Sequence, residues 1–372
     1  MKGRYLYRML LTNFQLIRPP FETKQEDTLN WFVEAHVMAE GNKEFRETIR
    51  EKLWHVGCKP ENIEKRGHVL SDFLHTDWEK MEVYRLHEDP AGKNLSTRIK
   101  IFEAEADKVF NEYYPENSLP PDDLIHVSCT GYVSPSGAQK IVSKRDWGLN
   151  TTVTHCYHMG CYGSLPAIRM GRGFLSSDQE KTRVDIVHTE ICSLHSNPSL
   201  HQLDQLVSQT LFAYGFVKYS IVRAADGPHI KVLSVREEII PNSEKSMTWN
   251  VADWGFQMYL AKEVPVLINR YLSGYLKRLC GETQGKPLFA VHPGGPKILS
   301  YVQDLLGLSP SQMAYSFAVL NEYGNMSSAT LPHIWQKIIN DPDVPSGTQI
   351  ISLAFGPGLS ISGALMEKVC GS

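Results

Sequence analysis

Several things are scarce in this chain of 372 residues. No run of about 18 apolar residues occurs, so no membrane-spanning helix is expected. The first residues, MKGRYLYRMLLTNFQLIRPPF, hold basic side chains but no apolar core of signal-peptide length. Basic excess is missing too: 38 Lys and Arg stand against 41 Asp and Glu, a net charge of −3. A nucleic-acid partner, which usually calls for a basic domain, is therefore not expected. The 7 cysteines (Cys58, Cys129, Cys156, Cys161, Cys192, Cys280 and Cys370) are odd in number and scattered. That is no disulfide framework, and reduced thiols in a cytoplasmic setting are expected. Short repeats and low-complexity tracts are absent.

What remains is ordinary globular composition, 42% hydrophobic and 21% charged. The length fits two to three domain-sized units, or one large fold built from two halves. Periodicity predicts helices over 27–56, 97–114 with Ser96 as N-cap, 200–212 and 259–279, and a helix in PKILSYVQDLLG. Apolar runs predict strands at 123–131, 151–160, 183–192, 214–224, KVLSVREEII, 286–295 and TQIISLAFGPG, with a last strand-like run after it. Strands alternating with helices give an α/β fold. The pattern restarts after the turn ADGPH, so we divide the chain into similar halves, 1–224 and 225–372.

HCYHMGCYG (155–163) places two histidines and two cysteines within seven positions. A zinc site needs four side chains converging on one point. On a strand, His155, Tyr157 and Met159 share one face and Cys156 and His158 the other, so the two histidines diverge. No partner with zinc-like spacing exists elsewhere, and no metal is expected. Cys161 reads differently. It follows Gly160 at a strand end, where a helix is expected to start. A thiol there feels the positive end of the helix dipole, which favours the thiolate and lowers its pKa. Free backbone N–H groups in that turn can hold an oxyanion. The plainer alternative is a small buried residue at a junction.

A nucleophilic cysteine needs a base brought close by the fold. FAVHPGGPKIL offers His292 at a strand end before Gly294 and Gly295, where a ligand can approach the backbone. LNEYGNMSSAT offers Asn325, an amide able to donate to a carbonyl oxygen. A solvated turn histidine and a helix N-cap are the plainer uses of these two residues.

Together MGCYGS, AVHPGGPKIL and EYGNMSSA, in this order and spacing, resemble the chalcone and stilbene synthases, the type III polyketide synthases of the thiolase superfamily. AFGPGL (354–359), IEKRG (63–67), LDQLVSQTLF (203–212) and SCTGYVSPSGA (128–138) extend the resemblance over nearly the whole chain. It implies the five-layer αβαβα thiolase-like fold of two similar halves, and a homodimer. Cys161, His292 and Asn325 then form the catalytic triad. Thr130, Phe212, Met258, Ser327 and Gly356 fall at cavity positions. Lys52, Lys59, Lys65, Arg66, Gly294, Gly295 and Lys297 are the candidates for holding coenzyme A or a carrier protein. There are departures. The family's Gly-Asp-Gly after the gatekeeper Phe212 is Ala213, Tyr214, Gly215 here, its second gatekeeper phenylalanine falls at Met258, and the methionine that crosses the dimer falls at Pro135. These leave the starter and the chain length open.

The chemistry implied is acyl transfer to Cys161, then decarboxylative Claisen condensation with a malonyl thioester. Acyl-CoA and malonyl-CoA are the expected substrates, and no metal or redox cofactor is expected. An alternative is a ketosynthase III-like enzyme taking chains from acyl carrier protein for one condensation or fusion. A non-catalytic partner with the same fold is disfavoured, because all three triad residues are present. Cys129, Cys156 and His158 read as packing residues.

Overall fold

Strands buried on both faces dominate the chain's order. The computed structural model describes residues 9–281 and 285–371; the start of the N-terminal stretch read for a leader, residues 1–8, lies outside them. In the first part come β1 (Leu10–Ile17), β2 (Phe21–Lys24), α1 (Gln25–Glu40), α2 (Phe45–Val56), β3 (Lys65–His68), α3 (Leu95–Tyr113), β4 (Asp123–Ser128), α4 (Gly137–Lys144), β5 (Thr152–Tyr157), α5 (Ser164–Ser177), β6 (Arg183–Ile191), α6 (Leu203–Leu211) and β7 (Tyr214–Val222). The second part holds β8 (His229–Ile239), β9 (Met247–Ala252), β10 (Gly255–Leu260), α7 (Val264–Cys280), β11 (Leu288–Val291), α8 (Pro296–Leu306), α9 (Pro310–Tyr323), α10 (Thr330–Asn340), β12 (Gln349–Gly356) and β13 (Ser360–Val369).

Nine strands pair in the order β11-β12-β13-β8-β1-β7-β6-β4-β5. Each side of the β1–β8 seam repeats one scheme, with parallel pairing at its outer end and antiparallel pairing toward the seam. Among the described residues the seam itself is thin: Leu10↔Lys231 and Leu11↔Ile230 pair across it, and Val232 N–H donates to Met9 O at 2.9 Å.

Side-chain alternation shows the layers. On β7, Val217, Tyr219 and Ile221 join the cluster of α5 and α10, with Leu165, Ile168, Ile334 and Trp335. The opposite face of β7, Tyr214 and Phe216, joins Phe32, Phe102, Phe110 and Ile141 from α1, α3 and α4. On β12, Ile350 and Ala354 face the inner helices, while Ile351, Leu353 and Phe355 face Ile268, Leu299 and Met313 of α7, α8 and α9. Helices thus lie outside, between and outside two strand layers, the thiolase-like αβαβα arrangement.

Three element boundaries differ from expectation. The helix predicted over 27–56 is two, because Gly41 takes φ 68 and its N–H closes α1 on the carbonyls of Val37 and Met38. Asn94, not Ser96, caps α3, its side chain accepting from the Thr97 N–H. Tyr259 and Leu260 belong to the β9–β10 hairpin rather than to α7.

Candidate active site

After β5 the chain turns sharply. His158 (φ 60) and Gly160 (φ 77) are both left-handed. A Cβ on Gly160 would lie 2.6 Å from Pro357 Cδ, so both dihedral and space call for glycine. Gly160–Tyr162 form one 3-10 turn, and α5 starts at Ser164. Cys161 therefore sits just before the N-terminus of an inner helix, which starts three residues later than the sequence reading placed it.

His292 follows the last residue of β11. Its N–H donates to Leu353 O at 2.8 Å, which fixes it beside β12. Gly294 N–H returns to His292 O at 2.9 Å, and Gly295, at φ 145, turns the chain into α8 with Pro296 at its start. The His292 side chain is 2% exposed, yet neither ring nitrogen has a protein partner. Buried polar groups are ordinarily bonded, so this imidazole is free to bind something that enters.

Asn325 is locked from both sides. Its N–H donates to Leu211 O at 3.0 Å and its carbonyl accepts from Ala213 N–H at 2.8 Å, so it straddles Phe212. Its side-chain Oδ1 accepts from Ser327 N–H at 2.8 Å, a tight turn that leaves Ser327 at φ 50. With Oδ1 engaged, the amide NH2 is the half left for the cavity. The Oδ1 contact is a turn bond two residues on rather than an N-cap, since Met326 and Ala329 hold the N-cap positions that follow.

These three residues line one cavity of about 70 Å³, walled mostly by apolar side chains such as Leu211, Met247, Val264, Ile268 and Phe355. A smaller one of about 20 Å³ adjoins, where Cys161 meets Cys129, Thr130, Cys192, Trp249 and Ser327. Burial sets the electrostatics. It pushes the Cys161 thiol up to about 12, against the pull of the Ser327 and Asn325 side chains. It also pushes His292 down to about 3. The expectation of a thiol lowered by the helix dipole is thereby corrected: desolvation by the apolar walls outweighs one 3-10 turn. The resting pair is thiol and neutral imidazole.

The other expected residues divide. Phe212 and Met258 line both cavities, and Thr130 and Ser327 the smaller one. Thr130 Oγ1 donates to Glu190 Oε2 at 2.9 Å. Glu190 also accepts from Cys129 N–H at 3.0 Å and from Ser328 N–H and Oγ, and burial pushes its carboxyl up to about 7. Gly356 does not line the cavity. A Cβ there would meet the Tyr162 ring at 2.0 Å, so the glycine serves packing.

Among the cation candidates, Arg66 is corrected outright: it is 2% exposed, and its Nη1 donates to Gln209 O and Phe212 O at 2.8 Å each. Lys65 is held by Glu22 at 2.6 Å. Lys52, Lys59 and Lys297 are exposed. Lys297 lies in the first turn of α8, beside Gly294 and Ile298 of the main cavity wall. Lys59 follows Cys58, which Thr210 Oγ1 and Gln25 clamp against the end of α6.

Sequence reading missed Met247, Trp249 and Cys192. Trp249 Nε1 donates to Cys129 O at 2.7 Å, and its own carbonyl meets His158 Nε2 at 2.9 Å. So Cys129 is a cavity residue, not mere packing. The available signal was the alternation in MTWNVA and GFQMYL, which marks a hairpin. Cys156 does pack, buried among Leu165 and Ile168.

Residues 23–225 match the family model of chalcone and stilbene synthases, N-terminal domain, and residues 231–370 match its C-terminal domain. The chain is 29% identical over 243 residues to 1,3,6,8-tetrahydroxynaphthalene synthase of Streptomyces coelicolor, covering 64% of each. It is 29% identical over 260 residues to "Probable polyketide synthase 1" of Dictyostelium discoideum, covering 66% of this chain and 8% of that one. The chain thus spans less than two thirds of either relative. The solved C-terminal type III polyketide synthase domain of Steely1 from Dictyostelium superposes with a TM-score of 0.81 at 20% identity, covering 97% of this chain and 99% of that one, and shares its fold.

Proposed function

The chain belongs to the chalcone and stilbene synthase family, and from that premise we propose that it is a type III polyketide synthase acting on acyl-CoA and malonyl-CoA. The observation that carries this is the convergence of Cys161, His292 and Asn325 on one apolar cavity, with both imidazole nitrogens unpartnered.

Cys161 is the nucleophile. As its sulfur attacks the thioester carbonyl, its proton passes to His292, and the carbonyl oxygen becomes an oxyanion held by backbone N–H groups of the 160–163 turn. The carbon–sulfur bond to coenzyme A then breaks, and the departing thiolate takes the proton back. Splitting the transfer in this way replaces one hard step by two easier ones. His292 is then neutral again, as burial requires.

The malonyl thioester carbonyl next accepts from His292 and from the Asn325 amide. Carbon dioxide leaves, and its bonding pair forms an enolate whose oxygen these donors stabilise. The enolate carbon attacks the acyl-Cys161 carbonyl, and the Cys161 thiolate leaves. A neutral imidazole donates without quenching the carbanion. One such donor is worth roughly 3–4 kcal/mol in other enzymes. Decarboxylation drives the step, so no metal or redox cofactor is called for. Of the cation candidates, exposed Lys52, Lys59 and Lys297 remain free to meet the coenzyme A phosphates, and Gly294 and Gly295 let the thioester arm pass close to the backbone. A homodimer and a cytoplasmic setting complete the proposal; the seven cysteines are all free thiols, which supports the latter.

The test is purified protein with a panel of acyl-CoAs and malonyl-CoA, followed by mass spectrometry of products. Extended polyketides that need both substrates support the assignment. Products only from acyl carrier protein would move it to a ketosynthase III-like enzyme.

A further inference from the structure

A third cavity lies behind Phe212, Trp249 and Met258, which wall it from the two that hold Cys161. It measures about 10 Å³, room for roughly one water-sized oxygen. Its far wall is polar. Arg66 spends only Nη1, on the carbonyls of Gln209 and Phe212; Nε and Nη2 have no partner. No acid pairs with this guanidinium among the described residues. His68, 1% exposed, bonds Thr23 Oγ1 through Nε2 at 2.7 Å, and its Nδ1 is unpartnered. Ser193 Oγ, also buried, has no partner either.

A buried charge is ordinarily paired. Burial lowers Arg66 to about 10, so it stays cationic near neutrality and faces the cavity uncompensated. Thr28 Oγ1 donates to Lys24 O at 3.1 Å, so the Thr23 hydroxyl donates to Thr28 and accepts from His68 Nε2–H, which leaves His68 Nδ1 an acceptor. Arg66 and Ser193 present free donors to a space the size of one oxygen. Resting on the reading of the chain as an acyl-condensing enzyme, we propose that this cavity is a subsite for an anionic oxygen at the far end of the Cys161-bound chain. Two sources share that chemistry: the terminal carboxylate of a dicarboxylic acyl starter, and the enolate of a growing poly-β-ketone. Met258, an unbranched side chain, and Phe212 stand where the chain would pass.

The first arm of the test is calorimetric binding to the Cys161→Ala protein, which removes chemistry. The probes are ω-carboxy acyl-CoAs of increasing length and their ω-carboxamide counterparts. A starter carboxylate predicts that at one length the acid binds about tenfold or more tighter than the amide. That ratio falls toward one in Ser193→Ala and Arg66→Gln. The second arm gives the otherwise unaltered enzyme acetyl-CoA and malonyl-CoA. An enolate source predicts no starter ratio but shorter products in both variants. Arg66→Gln also loses bonds to two carbonyls and its fold is checked by thermal unfolding; Ser193→Ala breaks no protein contact and decides the matter if Arg66→Gln unfolds. An acid-to-amide ratio near one at every length, with unchanged products in Ser193→Ala, overturns the subsite and leaves a buried water. Normal binding ratios with no acylation of unaltered protein would instead refute the condensing reading alone.

Discussion

Asn325 does two separable jobs, and substitutions can part them. Its Oδ1 holds Ser327 N–H at 2.8 Å, and its NH2 is left to donate to the substrate. Asn325→Ala removes both. The lost turn leaves a buried N–H unsatisfied, at about 1–3 kcal/mol of stability. The lost donor costs about 3–4 kcal/mol of enolate stabilisation, or 10²–10³ in rate. Asn325→Asp keeps an oxygen for Ser327 but replaces the donor by an acceptor. It should lose malonyl-CoA decarboxylation by about 10²–10³ while still taking an acyl group on Cys161. The assay pairs carbon dioxide release with intact-protein mass after acyl-CoA loading, and adds urea unfolding to score the turn. Were Asn325→Asp to decarboxylate malonyl-CoA within about tenfold of the unaltered enzyme, the assignment of the amide as an enolate donor would be wrong.

Gly160→Ala forces a side chain at φ 77 and into Pro357; about 2–4 kcal/mol should be lost in chemical denaturation, with Cys161 acylation falling alongside. Phe212 walls all three cavities, so Phe212→Ala should merge them and lengthen the products seen by mass spectrometry. Its stability cost should stay below the ~3–5 kcal/mol of a fully buried phenylalanine, since Phe212 is only half-buried. Glu190, raised from 4.5 to about 7 by burial, binds its proton more tightly folded than unfolded. That stabilises the fold at low pH and is lost as pH rises through 7, by about 3 kcal/mol. Urea unfolding at about pH 5 and about pH 8 should show this fall, and Glu190→Gln should flatten it.

Much of the fold was legible because buried strands such as RVDIVHTEI and YGFVKYSIV are rich in β-branched and aromatic residues, and their alternation with amphipathic helices gives the layers. Cys161, His292 and Asn325 were legible because each stands within two residues of a glycine at an element end, where side chains reach into a site. What was hidden depends on burial. Arg66 reads as a surface cation in IEKRG, yet its side chain lies in the core against α6. Gly356 reads as a flexible cavity loop, yet it is the face on which Tyr162 packs. The Cys161 thiol rises instead of falling because desolvation by the surrounding apolar walls, which no local motif encodes, outweighs the local turn. Met247 and Trp249 escape notice because their hairpin, outside the nine-stranded order, is too short and too polar at its tip to stand out.

The central claim is that one cysteine of seven carries the growing chain. Peptide mapping by mass spectrometry after brief exposure to a reactive acyl-CoA tests it most directly. The adduct should lie on Cys161 alone, disappear in Cys161→Ala, and move into a longer product when malonyl-CoA is added. An adduct on Cys129 or Cys192 that survives Cys161→Ala and still extends would contradict the account.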